Sequence, residues 1–365
     1  MITSLDEAHM ARALQLAGRG LYTTDPNPRV GCVLAKEGAV LGEGWHELAG
    51  GPHAERMALE RGGAECRGAS AFVTLEPCSH TGRTGPCVDA LIEAGIGRVV
   101  CAGLDPDPRV SGAGVKRLEE AGVTVEVGML ERSAIALNPG YISRMTRGRP
   151  LVRSKLAVSL DGGTALAGGE SQWITGQAAR ADVHHWRARS SGVVTGIGTV
   201  LADDPSLNAR LTDPDRVITQ PSRVVIDARL QTPPGAKLVS LPGDVIVFTT
   251  DAAGSNAQVL RDQGVVVEVV AGEDHCDLAQ VMRRLAELEF NELWVESGAG
   301  LNGALLEAGL LDELVIYVAP HLLGADARGM FSIEPLASLE QRVWVAYEDV
   351  RRFGDDLRII ACLAE

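Results

Sequence analysis

The chain has 365 residues, 45% of them apolar, with 42 glycines and a formal net charge of −14. That length exceeds what one hydrophobic core usually serves, so two domains of an α/β kind are expected. The acidic balance argues against nucleic acid, whose binding rests on a dense basic face, but leaves small phosphate esters open.

The opening MITSLDEAHM has neither the basic nor the apolar region of a secretory leader, and no run of about 18 apolar residues occurs anywhere. No membrane span and a cytoplasmic home are therefore expected. Ser4 and Glu7 have capping-box spacing, and Met10, Leu14 and Ala17 repeat on one face, which predicts a helix to about Arg19. Strand-like runs follow at 30–34, 40–45, 71–75, 99–102 and 123–127, with helical stretches near 55–60, 88–94 and 115–121. This alternation predicts an αβα sandwich.

The pattern fades over Asn138–Pro150, whose Pro139, Gly140, Gly148 and Pro150 make it the linker candidate. The chain is accordingly divided into 1–147 and 148–365. Beyond it, strands are expected near 152–158, 192–195, 224–226, 245–248, 265–269, 293–296 and 314–318. No internal repeat relates the halves, so each should carry its own site.

Seven widely scattered cysteines do not form a disulfide framework. Cys32, Cys66, Cys101, Cys276 and Cys362 read as core filler. Cys78 and Cys87 read differently, because His53-Ala54-Glu55 precedes Pro77-Cys78. One imidazole and two thiolates can hold Zn2+ and leave a fourth position to water, the arrangement of a catalytic site. Glu55, two residues past the imidazole, would pass a proton from that water to a leaving amine. Helix N-termini near Ala54 and Cys78 would favour thiolate. His80 is a competing ligand, or a residue of the substrate pocket or loop.

The H-x-E and P-C elements resemble the zinc deaminase superfamily, except that the cysteines lie nine apart rather than three. The runs TLEPCSHTGRTGPC, PNPRVGCV, GPHAE, KLAVSLDG, GESQWIT, GIGTVLADDPSLNAR, VESGAGLNGALL and VAPHLLGADARG extend this. Together they resemble the bifunctional diaminohydroxyphosphoribosylaminopyrimidine deaminase and 5-amino-6-(5-phosphoribosylamino)uracil reductase of riboflavin biosynthesis, over nearly the whole chain. The resemblance implies a cytidine-deaminase-like αβα domain followed by a dihydrofolate-reductase-like domain. It makes His53, Cys78 and Cys87 zinc ligands, Glu55 the proton shuttle and Asn27 part of the pyrimidine pocket. Gly85 and Gly163 stand where the family usually has proline and a basic residue.

In the second half, Gly298, Gly300 and Gly303 form G-x-G-x-x-G after an apolar strand, either a dinucleotide loop or tight turns. Its late position does not fit a Rossmann domain. The resemblance implies NADPH contacts at Ala157, Trp173, Thr199, Asp203, Gly298, Ala299, Gly300, Leu301, Asn302, Gly303 and Ala304. It implies substrate contacts at Ser171, Arg187, Leu207, Arg210 and Glu296. From their place in KLAVSLDG, Lys155, as a substrate contact, and Ser159 and Asp161 are expected in the same cleft. Strand alternation puts Lys155 and Ala157 on one face. Arg187 and Arg210 could hold a ribose phosphate through their guanidinium forks, or be solvated surface charges. Asp203 is either a residue that orients the sugar or a turn cap.

Small pyrimidine ribosyl phosphates are the expected partners, and a homo-oligomer is expected. Three other readings remain. A nucleic-acid deaminase would act on single strands; a deaminase with a non-catalytic second half would not oxidise NADPH; a metal-stabilised binding protein would fill the fourth zinc position with a side chain.

Overall fold

The computed structural model describes residues 3–79, 85–108, 110–213 and 215–363, and the chain forms two units, Met1–Gly148 and Arg149–Glu365. The first begins with helix α1 (Ser4–Ala17). Its capping box lies one residue earlier than Ser4 and Glu7 suggest: Thr3 Oγ1 accepts the Asp6 N–H, and Asp6 returns a carboxylate oxygen to the Thr3 N–H. Asp6 wins the register because the same carboxylate also takes the Arg98 guanidinium at 2.9 Å.

Strands β1 (Gly31–Lys36), β2 (Ala39–Trp45), β3 (Ser70–Val73), β4 (Arg98–Cys101) and β5 (Thr124–Val127) form one sheet in the order β2-β1-β3-β4-β5. β1 runs antiparallel to both neighbours, whereas β3, β4 and β5 are parallel. On β1, Cys32 and Leu34 pack against helices α2 (Ala54–Gly62), α3 (Cys87–Glu93) and α4 (Ala113–Glu120), while Val33 and Ala35 meet α1 and α5 (Glu131–Leu137). This period-two alternation covers the sheet on both faces, the expected αβα sandwich. A Cβ at Gly44 would stand 2.2 Å from the Ala54 carbonyl, so glycine is what lets the start of α2 lie directly on β2.

The linker expected at 138–150 is instead mostly helix α6 (Pro139–Arg147). Pro139 sits in its first turn, where the missing N–H costs nothing, and Gly148 closes it in the left-handed conformation at φ 65°. The residues that suggested a break are the helix's own caps.

The second unit holds β6 (Leu151–Ser159), α7 (Gln177–Arg189), β7 (Gly192–Gly196), α8 (Ile197–Asp203), β8 (Ser222–Ile226), α9 (Lys237–Ser240), β9 (Val245–Thr249), α10 (Ser255–Asp262), β10 (Val266–Val269), α11 (Leu278–Glu287), β11 (Glu292–Val295), α12 (Ala299–Glu307), β12 (Glu313–Ala319), β13 (Val345–Phe353) and β14 (Asp356–Leu363). Its sheet runs β10-β9-β8-β7-β11-β6-β12-β14-β13, parallel up to β12 and antiparallel in the last two pairings. Val194, Val224, Leu293 and Val295 pack on α11 and α12, whereas Val193, Val225 and Trp294 pack on α7 and α10. Trp294 stacks on Trp186 of α7 with centroids 5.3 Å apart. β11 lies between β7 and β6, so the chain leaves it at the middle of the sheet, where ligands of parallel sheets bind.

Candidate active sites

In the first unit, β2 ends at Trp45 and the chain reaches His53, which occupies the N-cap of α2 in an extended conformation. Pro77-Cys78 follows β3, and Cys87 opens α3. His53, Cys78 and Cys87 place their ligand atoms within 4.8 Å of one another. His53 Nδ1 stands 3.5 Å from Cys78 Sγ and 3.3 Å from Cys87 Sγ. Tetrahedral zinc with bonds of about 2.0 Å to nitrogen and about 2.3 Å to sulfur has N···S edges of about 3.5 Å, so this donor triangle fits the ion. Among the described residues the cluster has three donors; His80 lies outside them.

The thiols already favour a cation. The Cys78 sulfur accepts the Cys87 backbone N–H at 3.3 Å, and the Cys87 thiol, with His53, holds Cys78 far below an ordinary thiol. Cys87 is driven up by that same partner and by burial. The pair therefore shares one proton, which a metal would displace. The helix that helps is α3, whose first residue is Cys87; Cys78 lies in a loop, contrary to the expectation that a helix begins there.

Glu55 is in the first turn of α2 and only 3% exposed. Burial pushes its carboxyl up, and the negative Cys78 sulfur adds to this. Asn27 donates through Nδ2 to His46 Nε2 at 3.0 Å, and the other imidazole nitrogen, Nδ1, meets the Pro52 carbonyl at 3.0 Å. That pair fixes the tautomer of the neutral His46 ring, and burial lowers its pKa against the pull of the Pro52 carbonyl. The His46 ring stands edge-on to His53 at 5.4 Å, which brings Asn27 to the metal triangle through a residue the sequence did not single out. Gly85, in the family's proline position, has its carbonyl held by Arg56 at 2.8 Å, so the loop is anchored by another route.

Glu76 is the second residue that the motif concealed. Its buried carboxylate accepts the backbone N–H groups of Asp105, Gly112, Gly114 and Val115 at 2.8–3.1 Å. It thereby ties the 105–115 segment to the strand end that presents Cys78. Replacing it with alanine leaves those four donors without their acceptor, and for the two buried ones, at Asp105 and Gly114, the loss costs about 1–3 kcal/mol each. Glu76→Ala is expected to lower the thermal midpoint of the first unit by more than about 5 °C and to weaken metal retention, read by calorimetry and metal analysis. An unchanged midpoint would refute this.

In the second unit a cleft of about 1800 Å³ opens at the carboxyl ends of β6, β7 and β11. This exceeds the ~300–1,000 Å³ usual for one small ligand, so it has room for two. Ala157, Ser171, Trp173, Thr199, Asp203, Leu207 and Gly298–Leu301 line it together with Asn302 and Ala304. Gly298 caps α12, and Cβ atoms at Gly298 or Gly300 would meet open space, leaving the helix N-terminus bare for an anion. Gly303 is different: a Cβ there would stand 1.9 Å from the Ser332 carbonyl, so it serves packing and is not among the lining residues. The Asn302 side chain is likewise committed to the loop itself. It is fully buried, accepting from Ser154 and Ser297 and donating to the Ser297 carbonyl, so it braces the loop.

Lys155, Arg187, Arg210 and Glu296 meet on one wall. Glu296 follows β11 directly, fixed by its N–H to the Val194 carbonyl at 2.9 Å. Its carboxylate grips Arg187 bidentately at 2.5 and 2.8 Å and accepts Trp294 Nε1 at 2.9 Å. Burial alone would raise its pKa; the charge and hydrogen bonds of Arg187 overturn this and hold it at about 2. The Arg187 fork is thus already occupied by Glu296, and what it can offer a phosphate is its remaining N–H bonds. Arg210 is exposed, with its NH1 group bonded to the Asn208 side chain. Burial lowers the Lys155 pKa while Glu296 opposes the shift.

Asp203 ends α8 at the cleft, whereas the neighbouring Asp204 takes the Lys237 N–H at 2.8 Å and forms the turn. Leu207 is buried in the core with φ 51°, so only its backbone can face a ligand. Ser159 and Asp161 do not line the cleft: Asp161 accepts from Ser159 and from the Leu323 and Gly324 N–H groups, clamping one turn to another. A Cβ at Gly163 would stand 2.7 Å from the Ala327 Cβ, so this packing leaves no room for the family's basic side chain.

Residues 3–103 match the cytidine and deoxycytidylate deaminase zinc-binding region, and residues 150–358 match the RibD C-terminal domain. The riboflavin biosynthesis protein RibD of Escherichia coli is 45% identical over 362 residues, covering 96% of this chain and 98% of that protein. The chain belongs to the RibD family. The solved Acinetobacter baumannii RibD, form 2, is 43% identical, covers 99% of both chains and superposes with a TM-score of 0.91. A diaminohydroxyphosphoribosylaminopyrimidine deaminase/5-amino-6-(5-phosphoribosylamino)uracil reductase from Thermotoga maritima is 33% identical over 99% of both chains, with a TM-score of 0.88. The RibD match spans both units, and the zinc-binding-region model covers His53, Cys78 and Cys87.

Proposed function

We propose that this RibD-family chain deaminates 2,5-diamino-6-(5-phosphoribosylamino)pyrimidin-4(3H)-one in its first unit and reduces the ribosyl group of the resulting 5-amino-6-(5-phosphoribosylamino)uracil in its second. The observation that carries the deaminase half is the His53, Cys78 and Cys87 triangle with buried Glu55 beside it. Zinc supplies, when bound by those three side chains, a water acidic enough to be hydroxide near pH 7. Glu55 takes the proton of the attacking water and delivers it to the departing amine, a task suited to a carboxyl whose pKa burial has raised. Asn27, oriented by His46, holds the pyrimidine edge.

NADPH supplies the hydride for the second step. Gly298–Asn302, Ala304, Ala157, Trp173, Thr199 and Asp203 would hold it, the bare α12 N-terminus suiting its phosphates, while Gly303 keeps the loop packed on Ser332. Lys155, Ser171, Arg187, Leu207, Arg210 and Glu296 hold the substrate, with Arg187 and Arg210 facing its phosphate. The domain division follows the two sites. All seven cysteines are unpaired, which suits a reducing, cytoplasmic compartment. A non-catalytic second half does not fit a cleft with a bare helix N-terminus beside converging charges, and a nucleic-acid deaminase does not fit the family.

The test supplies purified protein with the diaminopyrimidinone phosphate and NADPH, and follows ammonia and absorbance together. Chelation should stop ammonia release while NADPH oxidation with supplied aminouracil continues. If chelation leaves ammonia release intact, the zinc reading fails; if supplied aminouracil never oxidises NADPH, the reductase reading fails.

A further inference from the structure

We infer that His184 is a third donor to the substrate's phosphate monoester in the reductase cleft, acting through Nε2–H beside the guanidinium of Arg210. The inference rests on the reductase reading given above.

His184 lies on α7, one turn before Arg187, and lines the cleft with it. Its Nδ1 accepts the Arg210 backbone N–H at 3.2 Å. A neutral imidazole carries one proton, so that bond places it on Nε2 and makes Nε2 a donor. Nε2 stands 3.4 Å from Arg210 NH2, which is also a donor. Two N–H groups at that separation cannot satisfy each other; they converge on a point where an acceptor belongs.

Among the described residues, the acceptors near that point are already shared with other donors. The Glu296 carboxylate is committed to Arg187 and Trp294. The Asn208 side-chain oxygen takes Arg210 NH1, and the Asn208 carbonyl, which draws weakly on the imidazole, shares itself with Arg187 NH1 at 3.0 Å, so a phosphate oxygen offers the stronger, charged acceptor. Burial, then the charges of Arg187 and Arg210, hold the imidazole pKa down to about 4, against smaller upward pulls from Glu296 and from the Asn208 carbonyl. Near pH 7 the ring is thus neutral, with its tautomer fixed. It adds a directed donor without a further positive charge beside two guanidiniums, and a phosphate oxygen can accept from both Nε2–H and Arg210 NH2.

The two roles of the ring separate by substitution. Gln carries an amide N–H to the place of Nε2–H; Asn carries an amide oxygen to the place of Nδ1 but does not reach the phosphate. Ribose 5-phosphate serves as probe, ribose as its phosphate-free control, and an unchanged thermal midpoint of the second unit shows that each full-length variant folds. His184→Ala and His184→Asn should weaken ribose 5-phosphate about tenfold or more, the loss of one hydrogen bond to a charged group, while His184→Gln stays within about threefold. In the wild type, saturation with ribose 5-phosphate should raise the His184 pKa, followed by NMR of the ring Cε1–H and assigned by its loss in His184→Gln, from about 4 to about 5 or higher. Full rescue by Asn but not Gln, an unchanged affinity in His184→Ala, or a pKa that ignores the ligand each overturns the proposal. Ribose binding as tightly as ribose 5-phosphate would instead remove the phosphate reading of the cleft.

Discussion

Glu55→Gln is expected to slow ammonia release by about a thousandfold, with zinc content and the reduction of supplied aminouracil unchanged. The carboxylate is buried in the first turn of α2 and is not one of the three grouped donors, so the amide, similar in shape, should leave both packing and metal in place. What the amide cannot do is take a proton from water and return it to nitrogen. His53→Ala differs in kind, because it removes a corner of the triangle and should lose zinc together with ammonia release. Metal analysis separates the two. A Glu55→Gln protein that releases ammonia within tenfold of the parent rate while holding zinc would show that another group moves the proton.

The metal triangle was legible because its chemistry is carried by residue type and short spacing. His53 and Glu55 sit two apart at a helix start, and the Pro-Cys step follows a strand, so neither depends on the rest of the fold. The partners that orient those groups were not legible. Glu76 reaches amides up to 39 positions away, and His46 reaches Asn27 across 19; no local pattern announces either. Local signals also misled where two readings share the same residues. Pro139 and Gly148 mark a break or a capped helix with equal force, and burial of Gly140 and Ser143 decides for the helix. β13 gave no periodicity to detect, since nearly every one of its side chains is exposed on an edge strand. In the glycine loop the spacing identified the turn, but could not tell Gly298, which opens onto the cleft, from Gly303, which meets the Ser332 backbone.

The pairing of Arg187 with Glu296, 109 positions apart, governs the other large effect. Glu296→Ala removes one partner of a bidentate pair whose side chains are 12% and 15% exposed, and leaves Arg187 beside Lys155 with no counter-charge. Breaking such a pair costs about 3–5 kcal/mol, so the thermal midpoint of the second unit should fall clearly and reduction should drop by about a hundredfold or more, while ammonia release continues. The pH dependence identifies the cause. Glu296 has a folded pKa of about 2, below its ordinary value of 4.5, so its contribution is fully present above about pH 4.5 and is lost as pH falls toward 2. The gap in stability between parent and variant should therefore be widest near neutral pH and close on the acid side. A gap that stays constant from pH 7 down to pH 3 would mean that lost packing, not the buried charge pair, accounts for the damage.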